Sequence, residues 1–268
     1  MRICSLSSGS KGNSVFLETD KSKILIDAGH SGKQIEILMK LIGQEAKDLD
    51  GIFVTHEHTD HIKGVGVLSR RYDLPIIANE KTWLAMRRNI GNIEPKNILV
   101  FKSNTFFSFR DFDVHAFSTH HDAADPVAYV FYQDKQKVTV LTDTGVITQD
   151  MKDTIMDSNI YYIEANHDIE MLKNGPYPRH LKDRILSSHG HISNEVSKDI
   201  LADLIKARDE KIILAHLSEE NNLDEIAYST VEDHLSQLGI DTKKEIELIT
   251  APKLKPSKIF DIGGKYTK

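Results

Sequence analysis

Residues 55–61 read Thr55-His56-Glu57-His58-Thr59-Asp60-His61, a His-x-His-x-Asp-His pattern packed into one short stretch. It follows Gly51-Ile52-Phe53-Val54, a run typical of a buried strand, and precedes a helical segment containing glycine. From the chain's own His and Asp frequencies such a pattern is expected about 0.003 times by chance. Three imidazoles and a carboxylate on one tight turn can converge on a borderline-soft divalent metal. The competing reading is a solvated polar loop.

More polar residues stand where apolar runs stop. His120-His121 follow DVHAFST, Asp143 follows VTVLT, and His216 follows KIILA. Sheets present functional groups on loops at strand ends. A lone histidine there is commonly a satisfied surface residue, but three such places beside the 55–61 turn favour a shared centre. Val/Ile/Phe-rich runs predict strands at 2–7, 14–19, 22–26, 51–55, 75–78, 105–109, 112–119, 127–132, 137–142, 159–164, 211–216 and 246–250. Ile35, Leu38, Met39 and Ile42 follow helical spacing behind Ser31 as cap. Further helices are expected near 62–72, 80–88, 148–157, 194–208 and 224–238. Clustered strands with helices between them suggest sheets with helices packed outside.

The 268 residues hold 34 Lys and Arg against 40 Asp and Glu, a net charge of −6, so no global positive field draws in nucleic acid. A polyanion must be held by a local patch or by bound metal. With 40% hydrophobic and 28% charged residues the chain is an ordinary globular composition and not a disordered one. Cys4 is the single cysteine, which excludes an internal disulfide and a cysteine-based zinc site. No run approaches a membrane span, and Met1-Arg2 lead straight into ICSLSSGS, so a cytoplasmic protein is expected. One domain over 1–268 is expected, since no Pro-, Gly- or Ser-rich linker interrupts it. The tail 251–268, with five Lys, reads as a solvated end.

The order His-x-His-x-Asp-His, then His, Asp and His resembles the metallo-β-lactamase-fold hydrolases, and Asp27 in ILIDAG matches that family's early Asp. GSKGNS, HDAADPVAY, EANHD and GHISN resemble, more closely, the bacterial YycJ/WalJ subgroup, which is associated with nuclease activity on DNA. The resemblance implies an α/β fold, a four-layer αββα sandwich, and two divalent ions, zinc foremost, with manganese or iron also compatible. It implies that His56, His58 and His121 hold one ion and that Asp60, His61 and His216 hold the other. Asp143 would then lie between them beside a water or hydroxide. Strand alternation sends His120 and His121 to opposite faces, and the family's His-Asp-Ala pattern favours His121. Asp27 is expected either to accept hydrogen bonds that fix the 55–61 turn or to serve as a helix-entry carboxylate. The common lactamases use a cysteine where this chain has Asp143, which disfavours that activity.

Glu164-Ala165-Asn166 and Gly190-His191-Ile192 are similar to segments of the nucleases of this family that mature transfer RNA, departing at Asn166 and Ile192. By that similarity His191 protonates the leaving alkoxide and Glu164 orients it, a task suited to an imidazole. Asp60, His191 and Glu164 are thus the candidate catalytic residues, Asp60 doubling as a metal ligand. His167 and His189 are expected to be supporting or structural. Ser7, Ser8, Ser10 and Asn13 are candidate phosphate contacts in a Gly/Ser turn, and Arg179, Lys182 and Arg184 form a basic stretch that would track a nucleic-acid backbone. His216 comes only 73 positions after Asp143, too few for the extra domain that some RNA-processing relatives carry there. The function expected is a phosphodiesterase, a 5′-to-3′ exonuclease on duplex DNA by resemblance. The alternatives are a hydrolase of a small ester, thioester or cyclic phosphodiester, or a non-catalytic metal-binding partner.

Overall fold

The computed structural model describes residues 1–262. The first half runs β1 (Arg2–Ser7), β2 (Ser14–Glu18), β3 (Lys23–Ile26), α1 (Gly32–Leu41), β4 (Gly51–Phe53), α2 (Thr59–Ile62), α3 (Val65–Tyr72), β5 (Ile76–Asn79), α4 (Glu80–Ile90) and β6 (Ile98–Phe101). Then follow β7 (Thr105–Phe109), β8 (Phe112–Ser118), β9 (Val127–Gln133), β10 (Gln136–Leu141), α5 (Gln149–Ile155), β11 (Ile160–Glu164), α6 (Ile169–Asn174), α7 (Arg179–Ile185), α8 (Asn194–Leu204), β12 (Glu210–Ala215), α9 (Asp224–Gln237), β13 (Ile246–Thr250) and β14 (Phe260–Asp261). Two seven-stranded mixed sheets result, ordered β14-β1-β2-β3-β4-β5-β6 and β13-β12-β11-β10-β9-β8-β7.

Period-two alternation decides which face meets which layer. In β2, Val15 and Leu17 point between the sheets while Phe16 packs outward under the helices. In β11, Ile160 and Tyr162 point between the sheets, and Tyr161 and Ile163 point out. The central layer is zipped by aromatics around Phe53, whose ring meets those of Phe109, Tyr129 and Phe131 edge-on at 5.3–5.7 Å. Ile35, Leu38 and Met39 of α1 and Met86 of α4 cover one outer face. Met151 of α5, Leu201 of α8 and Val231 of α9 cover the other. Four layers in the order α, β, β, α follow, as expected.

Two expectations need correction. The helix expected over 62–72 is broken, α2 ending and α3 starting around Gly64. A Cβ on that glycine would lie 2.4 Å from the His30 carbonyl oxygen. The tail expected to be solvated is built in as far as residue 262. β14 pairs with β1 and Phe260 is buried between the sheets, while residues 263–268 lie outside the described residues. No helix among the described residues is long and apolar enough to cross a membrane.

Candidate metal centre and catalytic cleft

The centre sits along one rim, where β3, β4, β8, β10, β11 and β12 all stop. Asp27 follows β3, His56 to His61 follow β4, His121 follows β8, Asp143 follows β10, Glu164 ends β11 and His216 follows β12. Asp27, Asp143 and His216 have φ of 60°, 58° and 57°, left-handed values that L residues avoid. Such strain persists only where surroundings hold it. Asp27 N donates to the Phe53 carbonyl at 2.8 Å, and His216 N donates to Ser8 Oγ at 2.7 Å.

Asp27 acts on the turn. Its Oδ1 accepts from Thr55 N at 2.9 Å, and its Oδ2 accepts from Thr55 Oγ1 at 2.8 Å and from His61 Nδ1 at 2.7 Å. His61 Nε2 is thereby turned toward Asp143 Oδ2 at 3.5 Å and Asp60 Oδ2 at 3.6 Å. Gly29 lets the turn close, because a Cβ there would sit 1.7 Å from the Asp60 carbonyl oxygen. His121 is fixed in the same manner, Nδ1 donating to the Gly190 carbonyl at 3.1 Å, with Nε2 3.8 Å from Asp143 Oδ1. His120 is exposed and faces His189, so the neighbouring His121 is the one that enters the centre.

Ligand-type atoms of His56, His58 and His121 lie within 4.8 Å of one another, as do those of Asp60, His61 and His216. Asp143 reaches both groups, its carboxylate standing 3.5 Å from His216 Nε2 and 3.8 Å from His121 Nε2. His56 Nε2, His216 Nε2 and Asp143 Oδ2 are buried without a hydrogen-bond partner. Orphaned polar atoms of this kind are costly unless something binds them. Imidazole nitrogens with carboxylates form the donor set that divalent transition metals take. The residues present therefore fit metal ions, and neutral imidazoles with charged carboxylates satisfy them without a thiol.

Glu164 has two tasks. Its Oε1 accepts from His191 Nδ1 at 2.7 Å and from His216 Nδ1 at 3.0 Å. Its Oε2 accepts from the backbone of Thr144 and Ile192 at 3.2 and 3.3 Å. The sequence suggested the first partner; the second, 52 residues away, has no local signal. Asn166 and Ile192, where the similarity to transfer-RNA nucleases lapses, have local work. Asn166 Nδ2 donates to the His216 carbonyl at 2.8 Å, and Ile192 is buried under the second sheet. His167 is buried with neither ring nitrogen bonded, and His189 is exposed beside Ser188.

Electrostatics follow from this crowding. Burial disfavours charge on His61, but Asp143, Asp27 and Asp60 outweigh it and lift its pKa to about 9. Burial opposes charge on Glu164 too, yet His191 and His216 hold it down at about 2. His56, desolvated and next to His61, is pushed well below the usual histidine range. Asp143 lies well below the carboxylate range because His216 and His61 overcome its desolvation.

Of the proposed phosphate contacts only Ser10 lines the cleft. Ser7 Oγ donates to the Gly12 carbonyl, Ser8 Oγ accepts from His216 N, and Asn13 Oδ1 accepts from Gly9 N. The basic stretch forms α7 beside the cleft, but its cations differ. Arg179 pairs with Asp183 on its own helix, and Lys182 Nζ donates to the carbonyls of Lys173 and Gly175, both at 2.7 Å. Arg184 alone of the three lines the cleft, with Tyr177 and Leu181.

The family model of the metallo-beta-lactamase superfamily matches residues 8–216, and the chain belongs to that family. It is 45% identical over 255 residues to a Bacillus anthracis protein named exodeoxyribonuclease YycJ, covering 95% of this chain and 96% of the relative. It is 44% identical to exodeoxyribonuclease WalJ of Streptococcus pneumoniae, over 89% of this chain and 91% of that one. Among solved structures, the metallo-beta-lactamase fold protein YhfI from Bacillus subtilis superposes with a TM-score of 0.70 at 14% identity, covering 97% of this chain and 98% of that one. The short form of human tRNase Z gives 0.63 at 16% identity, over 96% and 99%. These last two likenesses concern the fold.

Proposed function

We propose that the chain is a metal-dependent exodeoxyribonuclease working on duplex DNA from the 5′ end, with residues 1–268 acting as one unit in the cytoplasm. The observation that carries the reading is the Glu164–His191 hydrogen bond at 2.7 Å beside the buried, unpartnered nitrogens of His56 and His216. The names of the two relatives at 45% and 44% identity support DNA as substrate. In this reading His56, His58 and His121 would hold one divalent ion and Asp60, His61 and His216 a second, with Asp143 available to either. Zinc suits the histidine-rich set best, with manganese or iron as alternatives. The ions, when bound, supply Lewis acidity and lower the pKa of water.

The chain's own residues supply the proton. His191 is anchored at Nδ1 by Glu164, which leaves Nε2 as the ring's other proton site. As the P–O bond breaks, a proton on Nε2 passes to the leaving alkoxide oxygen. Asp27 and Glu164 hold the rings of His61 and His216, and Asn166 holds the His216 backbone.

The test uses metal-loaded protein with labelled DNA, RNA, a thioester and a lactam in parallel. DNA cleavage with the others inert is the expected result. Cleavage of the thioester alone promotes the small-molecule alternative. His191→Ala is expected to keep its metal and lose about 10²–10⁴ in turnover on DNA. An aryl phosphodiester, whose leaving group needs little protonation, should suffer far less. Equal losses on both substrates mean that His191 is not the acid, and loss of metal makes it a ligand.

A further inference from the structure

Among the described residues that line the cleft, Arg184 is the one Lys or Arg. Its Nε and Nη2 donate to Asp122 Oδ2 and Oδ1 at 2.6 and 2.9 Å, a two-pronged pairing. The same Asp122 Oδ1 lies 3.4 Å from His121 Nε2. The Asp122 carboxylate therefore stands between the guanidinium and the metal-facing nitrogen of His121. Two anionic oxygens bridging a guanidinium fork and a metal-facing imidazole have the geometry of a phosphodiester's non-bridging oxygens. Both partners are half-exposed, at 47% and 38%, so solvent screens the pair and it can exchange.

The helix end that carries the fork is tied to the loop that carries the proposed acid. His191 N donates to the Ile185 carbonyl at 3.0 Å, tying the loop to the end of α7. A Cβ on Gly190 would meet the Ile185 and Arg184 carbonyl oxygens at 2.1 and 2.3 Å, so loop and helix end are in backbone contact. The cleft also gathers Asp60, Asp143 and the nearby Glu164, a carboxylate concentration that repels a polyanion unless cations answer it on the substrate side.

We propose that Arg184 recognises the scissile phosphodiester, a role that rests on the nuclease reading above. Between turnovers its guanidinium rests on Asp122; when DNA enters, it transfers to the non-bridging oxygens of the phosphate. Arg184 then selects a phosphodiester over a neutral ester or thioester.

The experiment compares metal-loaded wild type, Arg184→Ala, Arg184→Lys and Asp122→Asn. The readouts are kcat and KM on duplex DNA and on bis(p-nitrophenyl) phosphate, inhibition by inorganic phosphate, metal content and unfolding midpoint. Arg184→Ala is expected to lose roughly 10- to 100-fold in kcat/KM on both diesters and to weaken phosphate inhibition, with metal and folding unchanged. Arg184→Lys keeps the charge without the fork and should recover only part of that loss. Asp122→Asn frees the guanidinium and should lower KM for DNA and tighten phosphate inhibition. Wild-type rates in Arg184→Ala, or loss of its metal, overturn the proposal. Unchanged or weaker DNA affinity in Asp122→Asn overturns the exchange with Asp122. A wild type inert on both diesters overturns the nuclease reading itself, a result separable from an active wild type matched by Arg184→Ala.

Discussion

His61 is fully buried against three carboxylates, with Asp27 at 2.7 Å, Asp143 at 3.5 Å and Asp60 at 3.6 Å. Its pKa of about 9 means that the metal-free protein carries a proton there at neutral pH. A divalent ion coordinated by His61 must expel that proton, so apparent metal affinity should rise with pH up to about 9. Titration calorimetry in two buffers of different ionisation heat should detect proton release at pH 7; none would remove His61 from the ligands. The same raised pKa fixes the sign for stability without metal. The protonated ring stabilises the fold fully below its ordinary value of 6.5, and this is lost as pH climbs through about 9. Asp27→Asn should lower metal affinity roughly 10- to 100-fold, as loss of an orienting carboxylate does; an unchanged dissociation constant would deny Asp27 that task. At this scale the 55–61 turn was legible because its ligand-type residues are neighbours in sequence. The left-handed φ of Asp27, Asp143 and His216 was not, since Asp and His adopt it only occasionally and no glycine marks the positions.

At the scale of elements, strands were legible where alternation was long. β9 places Val127, Tyr129 and Phe131 inward against Ala128 and Val130 outward, and β8 and β10 read as clearly. β6 went unread because its four residues, Ile98 to Phe101, show no alternation and three are exposed at the sheet edge. α6 and α7 span only 6 and 7 residues and bury one residue each, Leu172 and Ile185, so no apolar repeat marks them as helical. Yet α7 supplies one wall of the cleft, and its end meets the loop at Gly190 backbone to backbone. Gly190→Ala forces a methyl onto two backbone carbonyls that cannot rotate away. The variant should lose about 1–3 kcal/mol in urea unfolding and also lose DNA cleavage, because His191 moves with the loop. Wild-type stability together with wild-type turnover would show that loop and helix end are free to part.

For the whole molecule, the resemblance placed the layers correctly but gave no account of how the chain's last described segment closes them. Composition misled at that point. The Lys-rich tail hides Phe260, 2% exposed, among three apolar residues, Ile259, Phe260 and Ile262, whose spacing is neither helical nor a long strand. That segment does three things to the sandwich. Ser257 N donates to the Ser5 carbonyl at 2.8 Å, and Ser8 N donates to the Pro252 carbonyl at 3.2 Å, steadying β1 and the loop that holds His216. β14 adds an outer strand to β1. Phe260 fills the inter-sheet layer at the sheet edge, opposite Ile3 in the β1–β14 pairing. Phe260→Ala should therefore cost about 3–5 kcal/mol in denaturant unfolding, the range for emptying a buried aromatic site. Leu254→Ala, at a side chain 59% exposed in the same segment, should change stability by about 0.5 kcal/mol or less. Because the tail also backs the Ser8–His216 contact, metal content in Phe260→Ala should fall at lower denaturant than unfolding of the helices seen by circular dichroism. A tail that were merely solvated would give two neutral variants and coincident transitions.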